Sequence, residues 1–468
     1  MDRARIEEYF ADKEPLLIEA VKRLVAIDSV MGGPAPGAPF GPGPAAALDE
    51  ALKIAEEWGL IPQNHEGYVG TADLNDKEDA LHILGHLDVV DPGEGWTVTP
   101  PFSPIVTDGL IYGRGADDDK GPVAASLLAM KAVKDLGVPL TRNCKVIMGT
   151  NEESGSEDIA WYFARHPFAP ATFSPDSGFP VINTEKGGFR PVFHRSWPAQ
   201  EALPRLRWLR GGIRFNVLPG DASAAVEGLS MYDIQPIARK VTSRTGVTFT
   251  FVHKEGLTVI RAKGESSHAA FPQGGNNAIT GLVALLCALP LSDGPAKESL
   301  EALNALLPHG DWRGEALGIA QEEPIAGPLT VAFSILEFSD IGMMGRFDSR
   351  VPLCATEENC LNAARAAFEG KGFTFECPEG QGKPHHTPAD SAFVKTLLKR
   401  YEEYTGVKGE CLSTGGGTYV HDIPGGVAFG CTMPGFDTRL HGADERVKVE
   451  DLMLSAKMFA HIIIDLCA

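Results

Sequence analysis

Apolar residues recur every three to four positions over residues 3–28, the period of an amphipathic helix. Residues 31–44 interrupt that pattern with crowded glycine and proline, so this stretch reads as a loop. Helical spacing resumes over 45–60, with an Ala/Leu face opposite an acidic one. From residue 80 the pattern alternates. The apolar run at 80–84 predicts a buried strand, 121–136 a helix closed by Gly137, 145–150 a strand, 156–165 a helix and 171–174 a strand. This order predicts an α/β domain with a mostly parallel sheet and helices on both faces. The style then shifts. Strand-like runs at 188–193, 246–253 and 257–261, with helical stretches near 276–290 and 357–370, predict an α+β segment with antiparallel strands. Beyond residue 388 the α/β style returns as a helix at 390–404, a strand at 426–430 and a helix at 449–466. The simplest organisation is one α/β domain built from 1–186 and 381–468, interrupted by an inserted domain over 187–380.

Charge narrows the possible partners. Lys and Arg number 42 against 62 Asp and Glu, a formal net charge of −20, which repels nucleic-acid phosphates and anionic membranes. No apolar run reaches the ~18 residues needed to span a bilayer, and the N-terminal helix lacks the apolar core of a signal peptide. The 8 cysteines are scattered with no C-x-x-C pair. They read as reduced packing residues of a cytoplasmic protein.

Four polar clusters follow predicted strands or open predicted helices. Gly85-His86-Leu87-Asp88 places an imidazole and a carboxylate two apart, on one side of an extended chain. Asp117, Asp118 and Asp119 form a glycine-flanked run that repels itself unless something positive neutralises it. Glu152 and Glu153 follow the second predicted strand, and alternation in an extended segment would face them opposite ways. Asp176 follows the third. Taken singly, each has an ordinary reading as a capped strand end, a solvated loop or a turn. Together they place oxygen and nitrogen ligands past the carboxyl ends of successive strands, where open α/β sheets gather function. The absence of cysteine excludes a structural zinc-finger site. Mixed His and carboxylate donors suit catalytic Zn, Mn or Co, and the carboxylates are numerous enough for two ions. A further histidine is wanted. His441 lies in a loop before the last helix, whereas His385 and His386 read as solvated surface.

These motifs, in this order, resemble the di-zinc aminoacylase, carnosinase and carboxypeptidase family of metallopeptidases, most nearly its PepV-like dipeptidases. The resemblance runs over essentially the whole chain and includes the Pro39-Phe40-Gly41-Pro42-Gly43 loop. It implies that His86 and Asp176 hold one metal, that Glu153 and His441 hold the other, and that Asp118 bridges them across a cis Asp118–Asp119 peptide. By the same resemblance Asp88 orients His86, Glu152 is the general base, and the inserted domain is a lid. Within it, His268 of Gly264-Glu265-Ser266-Ser267-His268 would stabilise an oxyanion. Asn216 and Arg350 would hold substrate, Arg350 by its carboxylate, and Gly416 of the 415–417 glycine loop would bind it through backbone groups. Without the resemblance, Arg350 reads as a surface or edge-strand residue. Two departures stand out: Val420-His421-Asp422 follows the glycine loop where the family often carries Arg, and Gly442-Ala443-Asp444-Glu445 follows His441 in place of Gln-Pro-Asn-Glu.

The activity implied is hydrolysis of short peptides with a free C-terminal carboxylate, through two divalent ions, zinc foremost. An N-acyl-amino-acid deacylase or desuccinylase of the same family is the first alternative, and an inactive metal-dependent binding protein the second. The long lid favours a monomer.

Overall fold

Leu81 and Ile83 alternate with His82 and Leu84 along the strand Asp79–His86; Leu81 and Ile83 are buried in one cluster, Leu84 in another, and His82 is buried as well. A strand buried on both faces belongs inside a sheet covered by helices on each side. The computed structural model describes residues 2–254 and 256–468 and divides into two units. The first comprises 1–184, 386–412 and 417–468; the second comprises 185–385 and 413–416.

In the first unit the sheet runs Ile61–His65, Val69–Asp73, Asn143–Gly149, Asp79–His86, Ala171–Ser174, Val427–Ala428, Val181–Glu185. Asp79–His86 pairs in parallel with both neighbours, and Val427–Ala428 pairs in parallel with Ala171–Ser174. The flanking pairs are antiparallel. Parallel pairing is therefore confined to the centre of a mixed sheet, where crossover helices connect the strands. Helices Lys120–Asp135 and Val449–Cys467 bury their apolar sides in the cluster holding Leu81, Ile83, Val146 and Phe173. Ile159 and Tyr162, from helix Glu157–Phe163, cover Leu84 and Ile147 on the other face. The N-terminal helical stretch is two helices, Arg3–Phe10 and Glu14–Val25. Pro15 sits in the first turn of the second, where its missing N–H costs nothing.

The second unit is an antiparallel sheet whose centre holds Arg205–Gly211, Thr330–Ser339 and Gly342–Val351. Helices Met231–Thr245, Ala278–Ala288 and Pro295–Leu306 contribute Ile234, Val241, Leu282, Leu285 and Leu303 to its own core. The long hairpin over 330–351 and the helices at 231–245 and 295–306 are elements the hydrophobic pattern did not single out. Among the described residues, no helix is long and apolar enough to cross a membrane.

Candidate metal centre

His86 ends the central parallel strand, with its ring fully buried. Gly85 has to precede it, because a Cβ there would collide with the Asp119 carboxylate and Val123. Asp119 Oδ2 accepts the His86 backbone N–H at 3.1 Å. His86 Nδ1 lies 3.0 Å from the backbone oxygen of Asp88, an acceptor only, so Nδ1 carries the proton. That leaves Nε2 as the candidate ligand atom, 2.9 Å from Asp118 Oδ1 and 3.6 Å from Asp176 Oδ2.

Asp118 closes the loop that enters helix Lys120–Asp135, and its peptide bond to Asp119 is cis. Its second oxygen, Oδ2, lies 2.9 Å from His441 Nε2. His441 Nε2 also lies 3.2 Å from Glu153 Oε1. Two candidate metal-holding groups result, His86–Asp118–Asp176 and Asp118–Glu153–His441, with Asp118 common to both. Within each group the ligand atoms fall within 4.8 Å of one another.

The electrostatics match this crowding. Burial pushes the Glu152 carboxyl well above its ordinary range; the His86 charge opposes the rise, and Asp176, Glu153 and Asp118 add to it. Glu153 is pushed up to about 7 by burial and by the Asp118 charge. Burial works against ionised Asp118, yet hydrogen bonds from His441 and His86 hold it below the usual carboxylate range. Burial disfavours charge on His441, but Asp118 and Glu153 raise it to about 11. Carboxylates gathered this tightly need positive charge nearby. Imidazole and carboxylate donors in sets of three suit divalent transition ions. Asp119 Oδ1 is buried with no hydrogen-bond partner, so the acidic loop is not satisfied by the protein alone. The residues present therefore fit two divalent ions.

Three further carboxylates hold the ligand loops. Asp88 accepts the backbone N–H groups of Glu152 at 3.0 Å and Glu153 at 3.1 Å. Asp158 accepts those of Thr150 at 2.6 Å and Asn151 at 2.9 Å, and the Tyr419 hydroxyl at 2.5 Å. Glu445 is fully buried and pairs with Arg114, while its Oε1 accepts the N–H groups of Gly115 and Asp117 at 3.0 Å. Arg114 also donates to the Gly442 carbonyl at 3.1 Å, tying the aspartate loop to the His441 loop.

The second unit places its expected site residues on a short ladder and a glycine loop. Val217 pairs with His268, and Ala269 N–H donates to the Asn216 carbonyl at 2.9 Å. Ala270 N–H donates to His268 Nδ1 at 3.2 Å, so the neutral ring carries its proton on Nε2. Gly415 packs against Ala270, where a Cβ would approach the alanine Cβ to 2.8 Å. Gly416 N–H donates to Thr414 Oγ1 at 3.1 Å. Arg350 donates to Asp348 through Nε at 2.6 Å and Nη2 at 2.9 Å, and through Nη1 to the Gly415 carbonyl at 2.7 Å.

Several expectations change. Glu152 and Glu153 lie in a one-turn 3₁₀ helix, Glu152–Ser154, so extended alternation does not separate them. The Asp88 carboxylate also serves the 152–153 turn, and the His86 ring meets both the Asp88 backbone carbonyl, 3.0 Å from Nδ1, and the carboxylate Oδ1, 3.5 Å from the same atom. Arg350 is buried on an interior strand. His385 and His386 are half-buried strand residues, with His386 Nδ1 2.8 Å from Thr184 Oγ1. His421, at the position where the family often has Arg, lies in the 3₁₀ turn Tyr419–Asp422. All 8 cysteines are free thiols, Cys354 alone among them exposed. Arg114, Asp158, Tyr419 and Glu445 escaped sequence reading as site residues. Their partners lie up to 331 positions away, and the sequence hinted at a role only by placing Arg114, Tyr419 and Glu445 beside motif residues.

Comparison with known proteins places the chain in a family. Residues 82–465 match the model of peptidase family M20/M25/M40. YtjP of Bacillus subtilis (strain 168), which carries a provisional dipeptidase name, is 35% identical over 97% of this chain and 98% of its own. Beta-Ala-Xaa dipeptidase of Lactobacillus delbrueckii subsp. lactis is 30% identical over 97% of this chain and 96% of its own. The crystal structure of human carnosine dipeptidase 1 shares the fold, with a TM-score of 0.59 at 16% identity over 99% of this chain and 98% of that one. The matched span holds all the proposed ligands and the loops that carry them, and the chain belongs to peptidase family M20/M25/M40.

Proposed function

We propose that the protein is a metal-dependent dipeptidase. In this reading it holds two divalent ions, zinc the best fit, and cleaves short peptides that end in a free carboxylate. The observation that carries it is the position of Asp118, with one oxygen against His86 and the other against His441, next to Glu152 and Glu153. His86 and Asp176 would hold one ion, Glu153 and His441 the other, and Asp118 both. The names borne by the B. subtilis and L. delbrueckii relatives support the substrate class.

Bound ions at these ligands would supply Lewis acidity, activating water near neutral pH and polarising the scissile carbonyl. Glu152 belongs to neither ligand group, so its carboxylate is left to take the proton of the attacking water and pass it to the leaving amine. The Asp88 carboxylate holds the turn that presents Glu152. His268, protonated on Nε2, donates to the oxyanion that forms during attack. Arg350 keeps one N–H on each Nη beyond those given to Asp348 and Gly415, and these hold the substrate carboxylate. Asn216 and the backbone at Gly416 complete the substrate contacts, so the second unit acts as the lid. Eight free thiols fit a cytoplasmic setting, and the long inserted unit fits a monomer.

The test is a three-substrate assay with metal added back: a free dipeptide, its C-terminal amide and an N-acetyl amino acid. The dipeptide should be cleaved fastest. Faster release of acetate from the N-acetyl amino acid would move the protein to the deacylases.

A further inference from the structure

Arg346, Asp348 and Arg350 alternate along the strand Gly342–Val351 and so project from one face of it. The neighbouring strand Gly187–Phe189 pairs Phe189 with Ser349, and Arg190 follows immediately. Arg350 already neutralises the buried Asp348 through two short hydrogen bonds. Arg190 reaches the same carboxylate only at 3.4 Å, and its guanidinium lies over the Phe215 ring at 4.8 Å. Among the described residues, the Arg346 side chain makes no hydrogen bond or ion pair, its backbone being paired in the sheet. Arg190, Phe215, Arg346, Phe347 and Glu379 line a cavity of about 160 Å³. Its wall carries two arginines against one exposed carboxylate, Glu379, an excess of positive charge in a chain whose net charge is −20. Phe215 and the buried Phe347 add an apolar lining.

The cavity adjoins two proposed substrate contacts. Phe215 precedes Asn216, and a run of contacts leads from Phe215 through Arg190 and Asp348 to Arg350. A ligand suited to it has a short aliphatic stem lying on aromatic carbon and ending in an anion that a guanidinium can grip. We infer that Arg190, Arg346 and Phe215 form a specificity subsite for an acidic side chain on the C-terminal residue of the substrate. The inference rests on the dipeptidase reading above, in which Arg350 holds the α-carboxylate of that same residue.

The experiment compares kcat/KM for alanyl-glutamate, its neutral isostere alanyl-glutamine, and alanyl-alanine in the metal-loaded enzyme. A charged hydrogen bond at this subsite corresponds to a preference for glutamate over glutamine of roughly tenfold or more. Arg346→Ala should bring that ratio close to one, Arg346→Lys should restore part of it, and Arg190→Ala should lower it. Arg346 is exposed, so its truncation leaves the core untouched, and unchanged thermal melting checks this. An enzyme that cleaves alanyl-alanine yet shows no preference, or one whose preference survives both alanine variants, overturns the subsite and leaves the dipeptidase reading standing. An enzyme that cleaves none of the three overturns both.

Discussion

The carboxylate of Asp88 accepts the backbone N–H of Glu152 at 3.0 Å. Its other oxygen accepts that of Glu153 at 3.1 Å. One side chain thereby sets both the proposed base and its neighbouring ligand. Asn in its place offers a single acceptor oxygen and turns an NH₂ group toward the second N–H. Asp88→Asn should therefore lower kcat by about 10–100-fold, the scale for outer partners of a metal site. Because the residue 88 backbone carbonyl makes the shorter contact to His86 Nδ1, its metal should stay bound. Turnover measured beside metal content separates the two effects, and loss of both ions with activity would contradict this division.

Glu152→Gln should keep both ions and lose about 10²–10⁴-fold in kcat, since glutamine fills the same space and cannot take a proton. A variant with near-normal turnover would mean that Glu152 and Glu153 exchange roles.

His268→Ala removes a donor directed at charge that exists only in the transition state. The expected loss is about 10²–10³-fold in kcat, with little change in KM and intact metal content. A rise in KM alone would make His268 a ground-state contact instead.

Arg350 calls for a different test, because the structure changes what its removal does. Arg350→Ala would leave the buried Asp348 without its main partner, and breaking a buried pair costs about 3–5 kcal/mol. Lost activity could then reflect lost stability. The unmodified enzyme is the cleaner probe: replacing the free carboxylate of a dipeptide by an amide should raise KM more than it lowers kcat. Equal cleavage of amide and acid would contradict the carboxylate clamp.

The proposed metal ligands were legible in the sequence because each lies in a short local motif at a strand or helix boundary. His86, Asp118, Glu153 and Asp176 come together once the strands pair. The supporting groups were not legible. Glu445 reaches Asp117 across 328 positions and Tyr419 reaches Asp158 across 261, distances that no periodicity encodes. Asp88 shows a subtler limit, since spacing put it beside His86 but could not tell that its carboxylate also accepts the backbone N–H groups of Glu152 and Glu153. The arginine row on Gly342–Val351 was hidden for another reason. Its pattern of arginines and an aspartate resembles an exposed strand, yet burial of Asp348 makes Arg350 an interior residue.

In the proposed two-ion scheme one carboxylate, Asp118, serves two ions in an enzyme that needs both. The direct measurement is metal content per chain, taken on dialysed protein whose dipeptide hydrolysis is assayed in the same sample, for the unmodified chain and for Asp118→Ala. Two-ion catalysis requires two ions per chain at full activity, loss of activity on chelation with recovery on metal addition, and near-complete loss of both ions in the variant. Full activity with one ion or none, or an Asp118→Ala protein that retains two, would contradict it.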